Sequence, residues 1–495
     1  MSALLVVVLA LPAAGAMVAA LLPGERAGRV AGTVAAALAF VASLLLWFDR
    51  SAGGTGVIRP WHEVDVAWAP ALDLRFHLGV DGISYPLVVL TTLLTLLCCA
   101  YTVGHVPAGG RGSALVALLL VVEVGMLGTF LALDLVLFFV FFEVVLLPMY
   151  AVIAGWGGAG RRAAARKFAL YTLFGSVLLL VGVFTVVASA GTADIVALTG
   201  GAALPRGTQH AAFALFAVAF AVKSPLWPLH TWLPAAHTQA PTVGSVILAG
   251  VLLKMGTYGL IRVAVGVAPE GARWAAPVLG TLAVAAIIVG ALVCLAQSEI
   301  KRLIAYSSVG HMGFVLLGVA TLTATGIQAA LIGNVAHGIL TGLLFFLAGA
   351  VKDRFGTGDL AALGGLRERM PGLSGLLGYA AIGSLGLPGL AGFWGEAFAV
   401  IAAVRRGGPL WLTLGVIAAV GGALTAAYFL RLLRRVTHGP ASPVVAGAVC
   451  GPIARLEVAA WSPLVVLALA VGLVPALVLG MASEPVRAVA EWVAR

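Results

Sequence analysis

Charge is what this chain has least of. Of its 495 residues only 10% are Asp, Glu, Lys or Arg, against 62% hydrophobic, whereas a soluble domain averages about 25% charged. That deficit excludes a sizeable soluble domain. Lysine is scarcer still, at five positions: Lys167, Lys223, Lys254, Lys301 and Lys352. The four cysteines, Cys98, Cys99, Cys294 and Cys450, form no CxxC pair. Neither a disulfide framework nor an iron–sulfur or zinc site is therefore expected, and apolar packing is their expected role. No GxGxxG or Walker A motif occurs, so nucleotide binding has no support. The start, Met1–Pro23, lacks a basic n-region and runs straight into another apolar stretch, so it is expected to be a first membrane helix and not a cleaved signal. The net charge of +10 is scattered over short loops and does not point to nucleic acid.

What fills the chain is apolar runs of about 20 residues, each long enough to cross a bilayer as a helix. The expected class is an all-α polytopic membrane protein with about 14 spans. These lie near 3–22, 29–48, 82–103, 113–133, 135–154, 167–190, 210–235, 242–262, 274–295, 302–322, 326–350, 374–403, 410–431 and 462–482, with a polar hairpin-like segment at 49–79. With the N-terminus outside, inner loops hold 17 Lys/Arg and outer segments 10. That is the positive-inside sign, and an even span count puts both termini outside. Spans four to eight and nine to thirteen form two blocks of five, which an odd count inverts relative to each other. Each block has a proline-interrupted helix in fourth place, the second at Gly386-Leu-Pro388-Gly. Inverted repeats with broken helices are the architecture of many ion transporters. The expected division is residues 1–112 (three helices and an outer loop), 113–265 (first repeat), 266–435 (second repeat) and 436–495 (linker and last helix).

One stretch concentrates polarity inside apolar sequence: Lys223-Ser-Pro-Leu-Trp-Pro-Leu-His230-Thr-Trp-Leu-Pro-Ala-Ala-His237-Thr-Gln-Ala-Pro241, and on to Lys254. An ionisable residue in a span costs about 2.5–3.5 kcal/mol on insertion scales and marks function by default. Lys223 and Lys254 lie inside hydrophobic segments that otherwise hold no arginine. Lysine can shed its proton when buried, whereas arginine effectively cannot, so the choice favours titration over fixed charge. Glu143, in Phe138-Phe-Val-Phe-Phe-Glu143, needs a partner or a proton, and Lys223 is the natural counter-ion. A change in their separation would switch protonation; a static ion pair between two helices is the bland alternative.

His311 and His337 suit a relay, because imidazole accepts on one nitrogen while donating from the other. Satisfied core histidines and haem ligands are the competing roles. Glu396 could deliver or receive the proton at one face, or merely cap or pack a helix. Glu143 and Lys223 are 80 residues apart and His311 and Glu396 85, so the ionisable positions fall in register between the blocks. Secondary candidates are Glu123, beside the Glu143 site or at an interface; His230 and His237, as polar lining without a recognised metal spacing; and Tyr306, Ser307 and Ser308, whose hydroxyls could hold water.

At these motifs the chain resembles the antiporter-like membrane subunits of respiratory complex I, the NADH–quinone oxidoreductase. The pieces that carry the resemblance are Phe141-Phe-Glu143 with Pro148-Met-Tyr150, Lys223 through His237, Ala240-Pro-Thr-Val-Gly-Ser-Val, Lys254, Lys301-Arg-Leu-Ile-Ala-Tyr-Ser-Ser-Val-Gly-His311, His337-Gly and Leu387-Pro-Gly through Gly395-Glu396. They cover nearly the whole length. The superfamily includes subunits L, M and N, multisubunit cation/proton antiporter subunits and membrane-bound hydrogenase subunits. Glutamate at 396, where relatives commonly carry lysine, and the lack of a long lateral helix resemble the subunit M (chain 4) branch. Glu299 stands where aspartate is usual.

The resemblance implies one proton channel in the membrane arm of a bacterial inner-membrane complex, driven by quinone reduction elsewhere. It implies a non-redox subunit with no flavin, iron–sulfur cluster, NADH or other cofactor or metal of its own, packed beside subunits L and N in the lipid bilayer. The family's charged residues carry over onto Glu143, Lys223, Lys254, His311, His337 and Glu396. The expected route runs from the Lys223 region to Lys254, then through His311 and His337 to Glu396, gated by opening of the Glu143–Lys223 pair. The alternatives are an antiporter or hydrogenase subunit, a structural spacer and a haem-binding subunit.

Overall fold

The computed structural model describes residues 2–50, 56–69, 74–201 and 204–495. Two helices, α1 (Ser2–Leu21) and α2 (Glu25–Leu45), open the chain. Small residues let them pack closely: Gly28 and Gly32 of α2 lie against Ala19 of α1, the way helices associate without a hydrophobic drive. The polar 49–79 segment supplies a β-hairpin, β1 (His62–Ala69) paired antiparallel with β2 (Leu74–Val80), with His62 opposite Val80. The chain is thus helical except for this one sheet among the described residues.

Then come α3 (Tyr85–Gly104), α4 (Gly112–Leu131), α5 (Leu135–Val144) running into α6 (Leu146–Trp156), α7 (Arg161–Ala190), the single turn α8 (Ile195–Leu198), α9 (Arg206–Lys223) and α10 (Trp232–Gln239). The next span, Thr242–Val265, is composite. Two α segments, α11 (Thr242–Ile247) and α12 (Leu253–Gly259), alternate with π-helical segments Leu248–Leu252 and Leu260–Val265. Beyond it lie α13 (Pro269–Ala296), α14 (Ile300–Ala320), α15 (Ala324–Phe355), α16 (Leu366–Arg369), α17 (Pro371–Ser384), α18 (Gly392–Arg406), α19 (Pro409–Val436), α20 (Pro443–Gly447), α21 (Arg455–Leu473) and α22 (Ala476–Ala494).

Among the described residues twelve helices are long and apolar enough to cross a membrane. The two segments expected to be broken are each a pair of shorter helices, α9/α10 and α17/α18. The core is the composite span, 100% buried, and α15, 94% buried, whereas α7 and α19 are 33% buried and present Leu, Val and Phe outward. The last apolar span falls at Arg455–Leu473, not 462–482. The chain turns at Val474–Pro475 into α22, which the sequence expectation had not separated.

Two local features recur 165 residues apart. Asp134 caps α5 by accepting from the amides of Val136 and Leu137, and pairs as an isolated β-bridge with Asp194. Glu299 caps α14 by accepting from Arg302 N, and bridges Asp359. The unusual glutamate therefore does a cap residue's work, accepting one of the four amides a helix start leaves unpaired.

Candidate functional site

The proline-rich stretch ends α9 at Lys223, because Pro225 and Pro228 cannot donate to a helix ladder. A carbonyl freed at membrane depth must find a donor in the protein. Trp232 supplies one: its Nε1 donates to Val222 O at 2.9 Å. Lys223 thus sits on the last turn of α9, buried. Its Nζ lies 4.7 Å from the Phe142 ring centroid. Glu143 accepts a short hydrogen bond from Ser176 Oγ of α7. Among the described residues no ion pair within 4.0 Å joins Glu143 to Lys223, although Glu143 is the carboxylate whose field reaches it. The counter-ions expected from the sequence are held apart, because Ser176 claims the carboxylate and Phe142 shields the ammonium.

Gly256 of α12 brings the interrupted helix against the composite span. A Cβ there would collide with Ser224 Oγ and Phe220 O. Two residues before it, Lys254 is fully buried. Its Nζ donates to Ala249 O, a carbonyl in the first π segment, and lies 2.6 Å from His337 Nδ1. An ammonium donor makes Nδ1 the acceptor, which leaves the ring proton of neutral His337 on Nε2. On the far side, His311 Nδ1 faces Glu396 Oε1 at 2.9 Å. A carboxylate only accepts, so Nδ1 of His311 donates and its Nε2 is left as an acceptor.

The two histidine rings are 5.8 Å apart between centroids. Their Nε2 atoms, and Ser384 Oγ, have no hydrogen-bond partner. All three residues line one internal cavity of about 30 Å³, and one water needs about 10–15 Å³. A donor, an acceptor and room for a water between them make a series through which a proton can hop: onto Nδ1 of His337, off its Nε2, onto Nε2 of His311, and off Nδ1 to Glu396. The order is Lys254, His337, His311, Glu396. This reverses the two histidines relative to the sequence expectation, because α15 and not α14 faces the composite span at Lys254.

Glu396 is placed by two glycines. Gly386, in the α17/α18 interruption, has φ +83°, and a Cβ on it would sit 3.1 Å from Glu396 Oε2. Gly395 lets α18 approach Gly333 of α15, where a Cβ would lie 2.6 Å from Gly333 Cα.

A family model described as "NADH:quinone oxidoreductase/Mrp antiporter, TM" matches residues 132–422, a range that holds all six of these residues. The chain belongs to the NADH:quinone oxidoreductase/Mrp antiporter family. A relative from Rhodobacter capsulatus, NADH-quinone oxidoreductase subunit M, is 40% identical over 97% of this chain and 94% of its own length. Among solved structures, a chain of respiratory complex I from Thermus thermophilus with bound NADH aligns at 30% identity, TM-score 0.88, over 99% of both chains. A chain of the Mrp complex from Dietzia aligns at 25% identity, TM-score 0.83, over 98% of this chain and 51% of that one.

The secondary candidates of this family member separate. His237 is fully buried, stacked on Phe345 at 4.4 Å, with both ring nitrogens unpartnered. His230 instead meets the Tyr306 ring edge-on at 6.1 Å. The neighbouring Thr231 hydroxyl lies 2.7 Å from Tyr171 OH. Both carboxylate oxygens of Glu123 are buried and unpartnered, so it is not interfacial. Ser307 and Ser308 both donate to Ile304 O of their own helix.

Sequence reasoning missed Ser176, and also Asn334 and Thr257, which are joined at 3.0 Å beside Lys254. A Thr172/Ser176 pair on one face of α7 was the available signal for the first. It also placed no arginine inside the apolar segments. Arg262, in the second π segment, is buried within the composite span and paired at 2.5 Å with Asp81.

Proposed function

We propose that this chain is a proton-translocating subunit of the membrane arm of an NADH-quinone oxidoreductase. Glu143, Lys223, Lys254, His337, His311 and Glu396 are the residues through which protons move. The single observation that carries this is the buried series from Lys254 Nζ through two histidines with complementary ring nitrogens to Glu396. A structural spacer has no need of two histidines aimed at a common water-sized cavity. The subunit contributes no redox group; electron transfer in its partners would drive it electrostatically, through the Glu143 and Glu396 ends.

The architecture that goes with this is fourteen crossings: the twelve continuous spans plus the pairs α9/α10 and α17/α18. Residues 113–265 and 266–435 form inverted five-helix repeats, after an N-terminal unit of residues 1–112 and before a linker and last helix in 436–495. The matched bridges Asp134–Asp194 and Glu299–Asp359 support the repeat, since each caps a repeat's second helix. The excess of Lys/Arg in alternate loops favours both termini outside a bacterial inner membrane. Subunits L and N are the neighbours proposed at its two lateral faces.

The test is Glu143→Ala and Lys223→Ala in the assembled complex, in proteoliposomes. NADH:quinone turnover and proton uptake should both collapse. If the variants assemble and both activities stay normal, the chain is a spacer. A cation/proton antiporter subunit is the second possibility, favoured by the likeness to the Mrp complex. Neighbouring genes for NADH-binding and iron–sulfur subunits decide against it.

A further inference from the structure

The polar interior does not stop at Lys254. On the side away from Glu396 it continues toward the β-hairpin. Thr257 and Asn334 follow one turn on, then Tyr258, whose hydroxyl donates to Phe130 O at 2.9 Å. Arg262 Nε donates to that same hydroxyl at 3.2 Å, and its Nη2 donates to Asp81 Oδ2 at 2.5 Å. Asp81 is spent on both oxygens, because its Oδ1 accepts the amides of Ile83 and Ser84 at 3.0 Å each. Arg262 and Asp81 are each buried. Eight residues separate Lys254 from Arg262, roughly 12 Å of helix. A proton resting on Lys254 thus has two polar ways out, the histidine series and this row, and the second would short-circuit the first.

Arginine is suited to closing such a row. Its guanidinium stays charged, offers five donors and no acceptor, and cannot hand a proton on. A fixed cation in a narrow polar passage excludes protons electrostatically. The bland alternative is a lock between α3 and the composite span, but buried ion pairs are weak contributors to stability, and a lock has no reason to lie at the end of the Lys254 row.

We infer that the Arg262–Asp81 pair is a proton seal: it holds the outer end of the Lys254 row closed, so that protons leave only by way of His337. This rests on the proton-translocation function proposed above. Its test needs no turnover, so the two can fail separately.

The intact complex is reconstituted in proteoliposomes, a pH gradient is imposed without NADH, and passive proton flux is followed with an entrapped pH dye. Wild type should hold the gradient. Arg262→Gln should dissipate it several-fold faster, and so should Arg262→Lys, because lysine can release a proton where arginine cannot. Adding Lys254→Met to either should restore tightness. A leak caused by poor packing would survive that addition, and would overturn the inference. So would assembled Arg262→Gln and Arg262→Lys variants as tight as wild type. Should Arg262→Gln fail to assemble, Arg262→Lys carries the test alone.

Discussion

The two halves of the site are built differently. In the first, Glu143 and Lys223 are neighbours that do not touch: a serine holds the carboxylate and a phenylalanine ring lies beside the ammonium. In the second, Lys254, His337, His311 and Glu396 stand in contact or one water apart. A closed series conducts and an open pair switches. On the function proposed here, the first half decides when a proton moves and the second decides where it goes.

Cutting the second half at its head should have the largest effect. Lys254→Met should lower coupled proton uptake roughly 100-fold, the low end of what a positioned acid–base group contributes. Pumping per NADH oxidised is the quantity to follow, and unchanged stoichiometry would break the contrast between the halves. His337→Gln should cost less, about tenfold, because water can bridge part of the gap where the ring stood. If His337→Gln proves harmless, the series does not run through α15.

The mouths of the two blocks extend the comparison. Glu299 and Asp359 meet without a histidine, whereas His77 from β2 sits beside Asp194, with Nδ1 2.8 Å from Asp194 and Nε2 2.6 Å from Glu63. Burial opposes a charge on His77, but the hydrogen bonds to Asp194 and Glu63 outweigh it and raise its pKa above the ordinary 6.5. Burial likewise works against the Asp194 carboxylate, yet the His77 bond and the Ala197 amide hold its pKa below the ordinary 3.8. The signs follow by linkage. The His77 contribution is fully present below about pH 6.5 and is lost as pH rises through its elevated folded value. The Asp194 contribution is present above about pH 4 and fails only in stronger acid. Hydrogen exchange of the β1/β2 amides should therefore quicken on going alkaline, while the Glu299–Asp359 mouth stays flat. His77→Ala should remove the pH dependence and loosen the hairpin by about 1–3 kcal/mol, the cost of stranding buried polar partners.

The smallest change is the sharpest probe of the open pair. Ser176→Ala frees Glu143 of a hydrogen bond worth about 1 kcal/mol and lets it approach Lys223. Turnover should shift by no more than a few-fold, with its pH profile moved. A profile identical to wild type would mean that Ser176 does not set the separation.

The broken helices, the composition of the spans and the six ionisable residues were legible because each is a local anomaly in an apolar run. The partners were not. Arg262 and Asp81 lie 181 residues apart, and no local pattern links them. The order of the histidines depends on which helix faces Lys254. That facing is set by two π segments, each of which puts an extra residue in a turn and rotates everything after it relative to an ideal α-helix. Arg262 looked like one more outer cation for the same reason: its burial is a property of α3, α4 and the hairpin around it, not of Leu260–Val265.

The indole of Trp232 is a splint. By bonding Val222 O it ties the start of α10 to the residue before Lys223, so the interruption has no slack at the point where the lysine is attached. An interrupted helix invites the image of a swivel, with two rods turning about a loose joint. Here the joint is pinned across its gap. Whatever distance the Lys223 ammonium travels toward Glu143 is therefore travelled by its four-carbon stem, a side-chain swing within a stationary frame.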